Sequence, residues 1–143
     1  MQDPFDVWLG GNVPAALERC GRLADGWIPA FCTPADAAAG KQVFDRVAAE
    51  HGRAISPEHF GVSLAYAPEG ADLAPLASTP LGRRARGRPL EEIIPVGLVG
   101  LRAMIERFLD VGFSKFIVRP LGPPDDWRAE LEVLAGAVGD LQT

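Results

Sequence analysis

The residues best placed to do chemistry are two adjacent glycines and an asparagine, Gly10-Gly11-Asn12. They stand between a short apolar run, Phe5-Asp6-Val7-Trp8-Leu9, and a helical stretch from Val13 to Ala24. Glycine lacks the Cβ that prevents a sharp turn or the close approach of a ligand to the main chain. Asn12 is a good N-cap, and Pro14 is tolerated in the first helical turn, where no intrahelical donor is lost. Such a corner aims free backbone N–H groups and the positive end of a helix dipole at one point, which is the chemistry of phosphate binding. The corner lacks the fuller GxGxxG or GxxxxGK(S/T) spacing, so a phosphate site and a plain tight turn both remain open.

Other candidates lie where strands end. Arg119 closes the run Lys115-Phe116-Ile117-Val118 just before Pro120. Its planar fork suits phosphate or carboxylate oxygens, so it either meets a ligand or forms an ion pair with Asp125 or Asp126. Trp27 and Tyr66 each follow a strand, where an aromatic ring either walls a flat ligand or packs into the core. His51 and His59 show no metal-ligand spacing, and the sequence holds no CxxC, HExxH or Ser–His–Asp pattern. Cys20 and Cys32 are expected to be free thiols, on a helix and in a loop. Arg83, Arg84, Arg86 and Arg88 read as a solvated loop, a contact for an anionic tail or acidic partner, or, least well supported, a nucleic-acid surface. No catalytic residue can be nominated.

The elements that must position these residues alternate. A strand at residues 5–9 is followed by a helix whose stripe is Val13, Leu17, Cys20 or Gly21, and Ala24, then by a strand ending at Ile28-Pro29. Thr33, Pro34 and Asp36 predict a capped helix with Ala39, Val43, Val47 and Ala48 buried, ending near His51-Gly52. Phe60–Tyr66 reads as the third strand. Residues 68–89 are rich in Pro, Gly and charge and read as a mobile loop or insertion, with a short helix near 71–77. A helix from Val99 to Val111 follows, with Leu101, Ile105, Phe108 and Leu109 inward and Gly112 as its terminator. The strand Lys115–Arg119 leads to a last helix, capped by Asp125, with Trp127, Leu131, Leu134, Val138 and Leu141 on one face. This is an α/β pattern of about four βα units with a parallel sheet and right-handed crossovers. Periodicity alone does not separate half a barrel from a small doubly wound sheet.

The string Val7-Trp8-Leu9-Gly10-Gly11-Asn12, with Pro14-Ala15-Ala16-Leu17 and Gly21-Arg22-Leu23-Ala24-Asp25-Gly26-Trp27-Ile28-Pro29, resembles the cofactor-phosphate corner of the luciferase-like monooxygenase superfamily. Gly112–Pro120 and the helix after Asp125-Asp126-Trp127 resemble the end of the same (β/α)8 barrel, closest to the F-420-dependent branch. The resemblance implies the C-terminal half of a TIM-type barrel, in a flavin- or deazaflavin-dependent oxidoreductase using coenzyme F-420 or FMN. It assigns cofactor binding to Leu9, Gly10, Gly11, Asn12 and Val13; Arg119, by its place at a strand end, is a further candidate. It also implies that much of the ring pocket belongs to an N-terminal half. A complete barrel needs about 250 residues, against 143 here. The alternative is a non-catalytic half-barrel that self-associates or pairs with another chain through its open strand edges.

Composition sets the remaining bounds. One domain over residues 1–143 is expected from the length. The resemblance, not the composition, implies a small-molecule substrate and, as partner, a second copy in a homodimer or a missing N-terminal half. A net charge of −5 provides no field for nucleic acid. No apolar run approaches the roughly 18 residues of a membrane span, and no secretory signal is visible, so a cytoplasmic location is expected.

Overall fold

A computed structural model of the protein describes residues 5–141. It divides into two compact units, one holding the described residues up to Ser63 together with Arg107–Ile117, the other Leu64–Glu106 and Val118 onward.

In the first unit β1 (Trp8–Leu9) and β2 (Gly26–Trp27) pair in parallel, Trp8 opposite Gly26 and Leu9 opposite Trp27. Parallel bridges from Trp27 to Phe60 and from Ala30 to Ser63 attach the start of β3 (Gly61–Tyr66). The Ser114 amide donates to the Phe60 carbonyl and brings in β4 (Lys115–Pro120). The strands thus follow chain order with helices between them, as successive βα units require.

Helix α1 (Pro14–Leu23) buries Ala16, Leu17, Cys20 and Gly21, with Ala24 just beyond. The expected stripe is corrected at Val13, which is 41% exposed because it is the N-cap and lies outside the helix. Helix α2 (Pro34–Glu50) carries the full capping box: Thr33 Oγ1 accepts from the Asp36 amide, and the Asp36 carboxylate accepts from the Thr33 amide. Its buried face is Ala37, Gly40, Phe44, Val47 and Ala48. Ala39 is exposed and Val43 half-buried, because Phe44, the largest apolar side chain on the helix, sets the rotation. The core is aromatic: Trp27 packs 5.7 Å from Phe113, Phe44 edge-on 5.3 Å from Phe60, and Phe108 edge-on 5.8 Å from Phe113. All five rings are almost inaccessible to water, and each such burial contributes about 1.5–3 kcal/mol.

In the second unit the Ala67 amide donates to Pro95 and the Gly97 amide to Ala67, while the Leu121 amide donates to Tyr66. Helix α4 (Gly97–Asp110) starts there, with Leu101, Met104 and Ile105 buried. Leu109, expected inward, is 37% exposed. Residues 68–89 form a 3-10 turn (Ala74–Ser78) and the short α3 (Pro80–Arg84) rather than one helix at 71–77. Pro75 and Pro80 set the two starts, and Thr79 caps the second through the Gly82 amide. Helix α5 (Trp127–Val138) is capped by Asp126, not Asp125: Asp126 Oδ1 accepts from the amides of Arg128 and Ala129 at 2.8 and 3.2 Å. None of its residues is buried, and Trp127 and Leu131 are 53% and 58% exposed. Among the described residues no helix is long and apolar enough to cross a membrane.

Candidate functional site

The corner after β1 turns its carbonyls inward. Leu9 O accepts from the Ile28 amide at 3.0 Å, Gly10 O from the Cys20 thiol at 3.7 Å, and Gly11 O from Trp27 Nε1 at 2.8 Å. Val13 O accepts from the amides of Ala16 and Leu17 and so opens α1. Inward carbonyls leave the amides on the other side. Among the described residues nothing accepts from the amides of Gly11, Val13 or Ala15, and Gly10, Gly11 and Val13 are exposed. No acidic residue sits in the first turn of α1 to occupy them.

The glycine pair also has an internal reason. Gly11 sits at φ +108, a conformation that L side chains rarely adopt, and a Cβ there would come within 2.8 Å of Ala16 Cβ. At Gly10 a Cβ would come within 3.1 Å of the Ile28 carbonyl oxygen. Close packing of the corner on β2 and α1 therefore requires small residues with or without a ligand. Asn12 is corrected as a cap. The helix starts one residue later than its sequence suggests, the N-cap is Val13 with no side-chain cap bond, and Asn12 Nδ2 donates to Ala30 O.

Leu9, Gly10, Gly11, Asn12 and Val13 are thus brought together on one corner, while Arg119 belongs to the other unit. Arg119 is exposed, and among the described residues it pairs with neither Asp125 nor Asp126. Trp27 takes the packing alternative: it is fully buried, and its indole tethers the corner. Burial pushes the Cys20 thiol up, partly offset by Arg19, so Cys20 stays protonated and serves as a small apolar wall. Cys32 is also buried and forms no disulfide among the described residues. His59 Nδ1 lies 2.8 Å from Asp25 O beside the Trp8 ring, His51 bonds Val47 O, and no metal-binding cluster exists among the described residues. Arg83, Arg84, Arg86 and Arg88 lie exposed in and just after α3.

A second concavity lies within the second unit, where β3 and β4 end. This cleft of about 450 Å³ is lined by Tyr66, Glu69, Gly97, Val99, Pro120 and Glu130 among others. The Tyr66 hydroxyl donates a hydrogen bond to Glu130. Burial first, and then Glu130, push the Tyr66 phenol up to about 12. Glu69 stands over the start of α4, where a Cβ on Gly97 would collide with its carboxylate. Sequence reading placed Tyr66 at a strand end but missed Glu69 and Glu130, because Glu130 lies 64 residues from its partner and no local spacing announces the pair.

No family model matches the sequence, and no curated protein does. Solved structures do. An F-420-dependent secondary alcohol dehydrogenase, solved with an F-420–acetone adduct, superposes at TM-score 0.72 and 15% identity over 99% of this chain and 50% of its own. The coenzyme F-420-dependent tetrahydromethanopterin reductase of Methanopyrus kandleri gives 0.67 and 15%, over 97% and 51%. This chain has the fold of half such a protein. The monooxygenase RslO1 of Streptomyces bottropensis gives 0.57 and 16%, over 97% and 48%. At these identities the likeness is one of fold, and the chain spans about half the length of each structure.

Proposed function

We propose that this chain is the C-terminal half of a luciferase-like (β/α)8 barrel, the part of a flavin- or deazaflavin-dependent oxidoreductase that holds the cofactor phosphate. The observation that carries the proposal is the corner at residues 9–13. Its carbonyls are engaged and its outward amides, on Gly11, Val13 and Ala15, meet no acceptor among the described residues. Bare amides at the start of a helix fit a phosphate, and two of the fold's neighbours are F-420-dependent enzymes. Coenzyme F-420 is the favoured cofactor and FMN the other. A bound deazaflavin supplies hydride transfer, and the chain's own part is to bind and orient the cofactor. Arg119 is a further candidate for an anionic group.

Titrating F-420 and FMN into the purified chain, with inorganic phosphate as competitor, tests this reading. Saturable binding that phosphate displaces is expected. No binding of either cofactor at millimolar concentration would remove the cofactor role.

A second reading has its own observation. Helix α5 has no buried residue, and Trp127, Leu131 and Val133 are all more than half exposed. That apolar surface favours pairing with a second copy or with an N-terminal half-barrel. Light scattering over a range of concentrations decides it: a monomer throughout rules out self-association.

A further inference from the structure

We propose that the cleft at the ends of β3 and β4 binds an organic cation with an apolar body, a primary alkyl- or arylamine, whose ammonium is taken by the carboxylates of Glu69 and Glu130. The cleft, at about 450 Å³, falls in the range of small-molecule sites, roughly 300–1,000 Å³, and has their usual make-up of apolar walls with a few polar groups. Ala67, Leu98, Val99, Pro120, Pro123 and Val133 form the walls, and Val99 and Val133 leave apolar surface at 83% and 55% exposure.

The polar groups are one-sided. Tyr66, Glu69 and Glu130 line the cleft, and among the described residues no lysine, arginine or histidine does. The only side-chain donor of the three, the Tyr66 hydroxyl, is already spent on Glu130. An ionised carboxylate only accepts, so apart from the main-chain amides at the start of α4, beside which Glu69 stands, the protons come from a ligand. An anion would face two negative charges. A neutral apolar molecule would desolvate both carboxylates without pairing them. An ammonium with an apolar tail satisfies both demands. The bond from Tyr66 also fixes Glu130, so little side-chain freedom is lost on binding. The cleft lies wholly in the unit that lacks the glycine corner, so the amine site uses none of the residues at 9–13.

Calorimetric titration of the full chain near neutral pH with benzylamine, benzyl alcohol and benzoate tests it, since the three differ mainly in charge. Benzylamine is expected to bind at least about tenfold tighter than benzyl alcohol, with benzoate the weakest. Glu69→Gln and Glu130→Gln are each expected to weaken benzylamine about tenfold and leave benzyl alcohol unchanged. The glutamine at 130 still offers Tyr66 an acceptor, and should that variant fail to fold, Glu69→Gln decides alone. Equal binding of amine and alcohol, a preference for benzoate, or no saturation by benzylamine up to about 10 mM overturns the proposal. So does full amine affinity in both variants.

Discussion

Replacing Val13 by aspartate separates folding of the glycine corner from its proposed use. Val13 is the N-cap of α1, at φ −94 and ψ 153, and gives that helix no side-chain cap. This is the backbone conformation in which an aspartate oxygen reaches the second and third helical amides, here those of Ala15 and Ala16. The new cap contributes about 1 kcal/mol, and the charge at the helix start about 0.3–1 kcal/mol more. Against this stands the packing of a valine that is 41% exposed, worth about 1 kcal/mol of lost burial. Stability should therefore stay level or rise by up to about 1 kcal/mol. Binding should respond in the opposite sense. A phosphate seated on these amides would lie about 4 Å from the new carboxylate, where each pair of unit charges repels by about 1 kcal/mol in water and about 4 kcal/mol at an effective dielectric of 20. F-420 and FMN affinity should fall at least about tenfold, the equivalent of 1.4 kcal/mol. Val13→Asn supplies the same cap without the charge and should keep more of the affinity. Urea unfolding and cofactor titration of the three proteins read both quantities. Undiminished cofactor binding by Val13→Asp would place the phosphate elsewhere, and a stability loss above about 2 kcal/mol would mean that the corner is not built as described.

Gly40→Ala sets helix propensity against packing. The substitution gains about 1 kcal/mol in α2, but the added methyl would overlap the six-membered ring of Trp27, which is held by its bond to Gly11 O and packed on Phe44 and Phe113. Overpacking costs about 1–3 kcal/mol and the strained bond about 1 kcal/mol more, so the urea midpoint should fall, and a rise would refute the packing argument. Tyr66 is the single tyrosine of the chain, so ultraviolet titration of the phenolate reports it alone. Ionisation is expected near 12 instead of 10, and only part of that rise is expected to go in Glu130→Gln, because burial, the larger cause, remains. Because the folded phenol holds its proton longer than the unfolded one, this stabilisation is complete below pH 10 and lost between pH 10 and about 12; ionisation at the ordinary value would refute both the burial of the phenol and its bond to Glu130. Thr33→Ala removes one half of the α2 capping box and should cost about 1 kcal/mol in urea unfolding; no change would mean that Asp36 caps alone.

The sequence by itself determined what is local. Strand alternation with helices, the Thr33–Asp36 box and the small residues at Gly10 and Gly11 are legible because each rule spans only a few neighbours: a period, a cap, a missing Cβ. Tertiary structure decided the rest. Asn12 reads as a cap until Ala30, 18 residues on, offers its carbonyl. The face of α2 follows from where Trp27 and Phe60 meet Phe44, not from the spacing of its alanines. The cleft of Tyr66, Glu69 and Glu130 exists only once two strand ends and two helices converge. Hydrogen bonds and close packing act over a few ångströms in space whatever the separation along the chain. Groups dozens of residues apart are therefore assigned to one another only when the chain has folded.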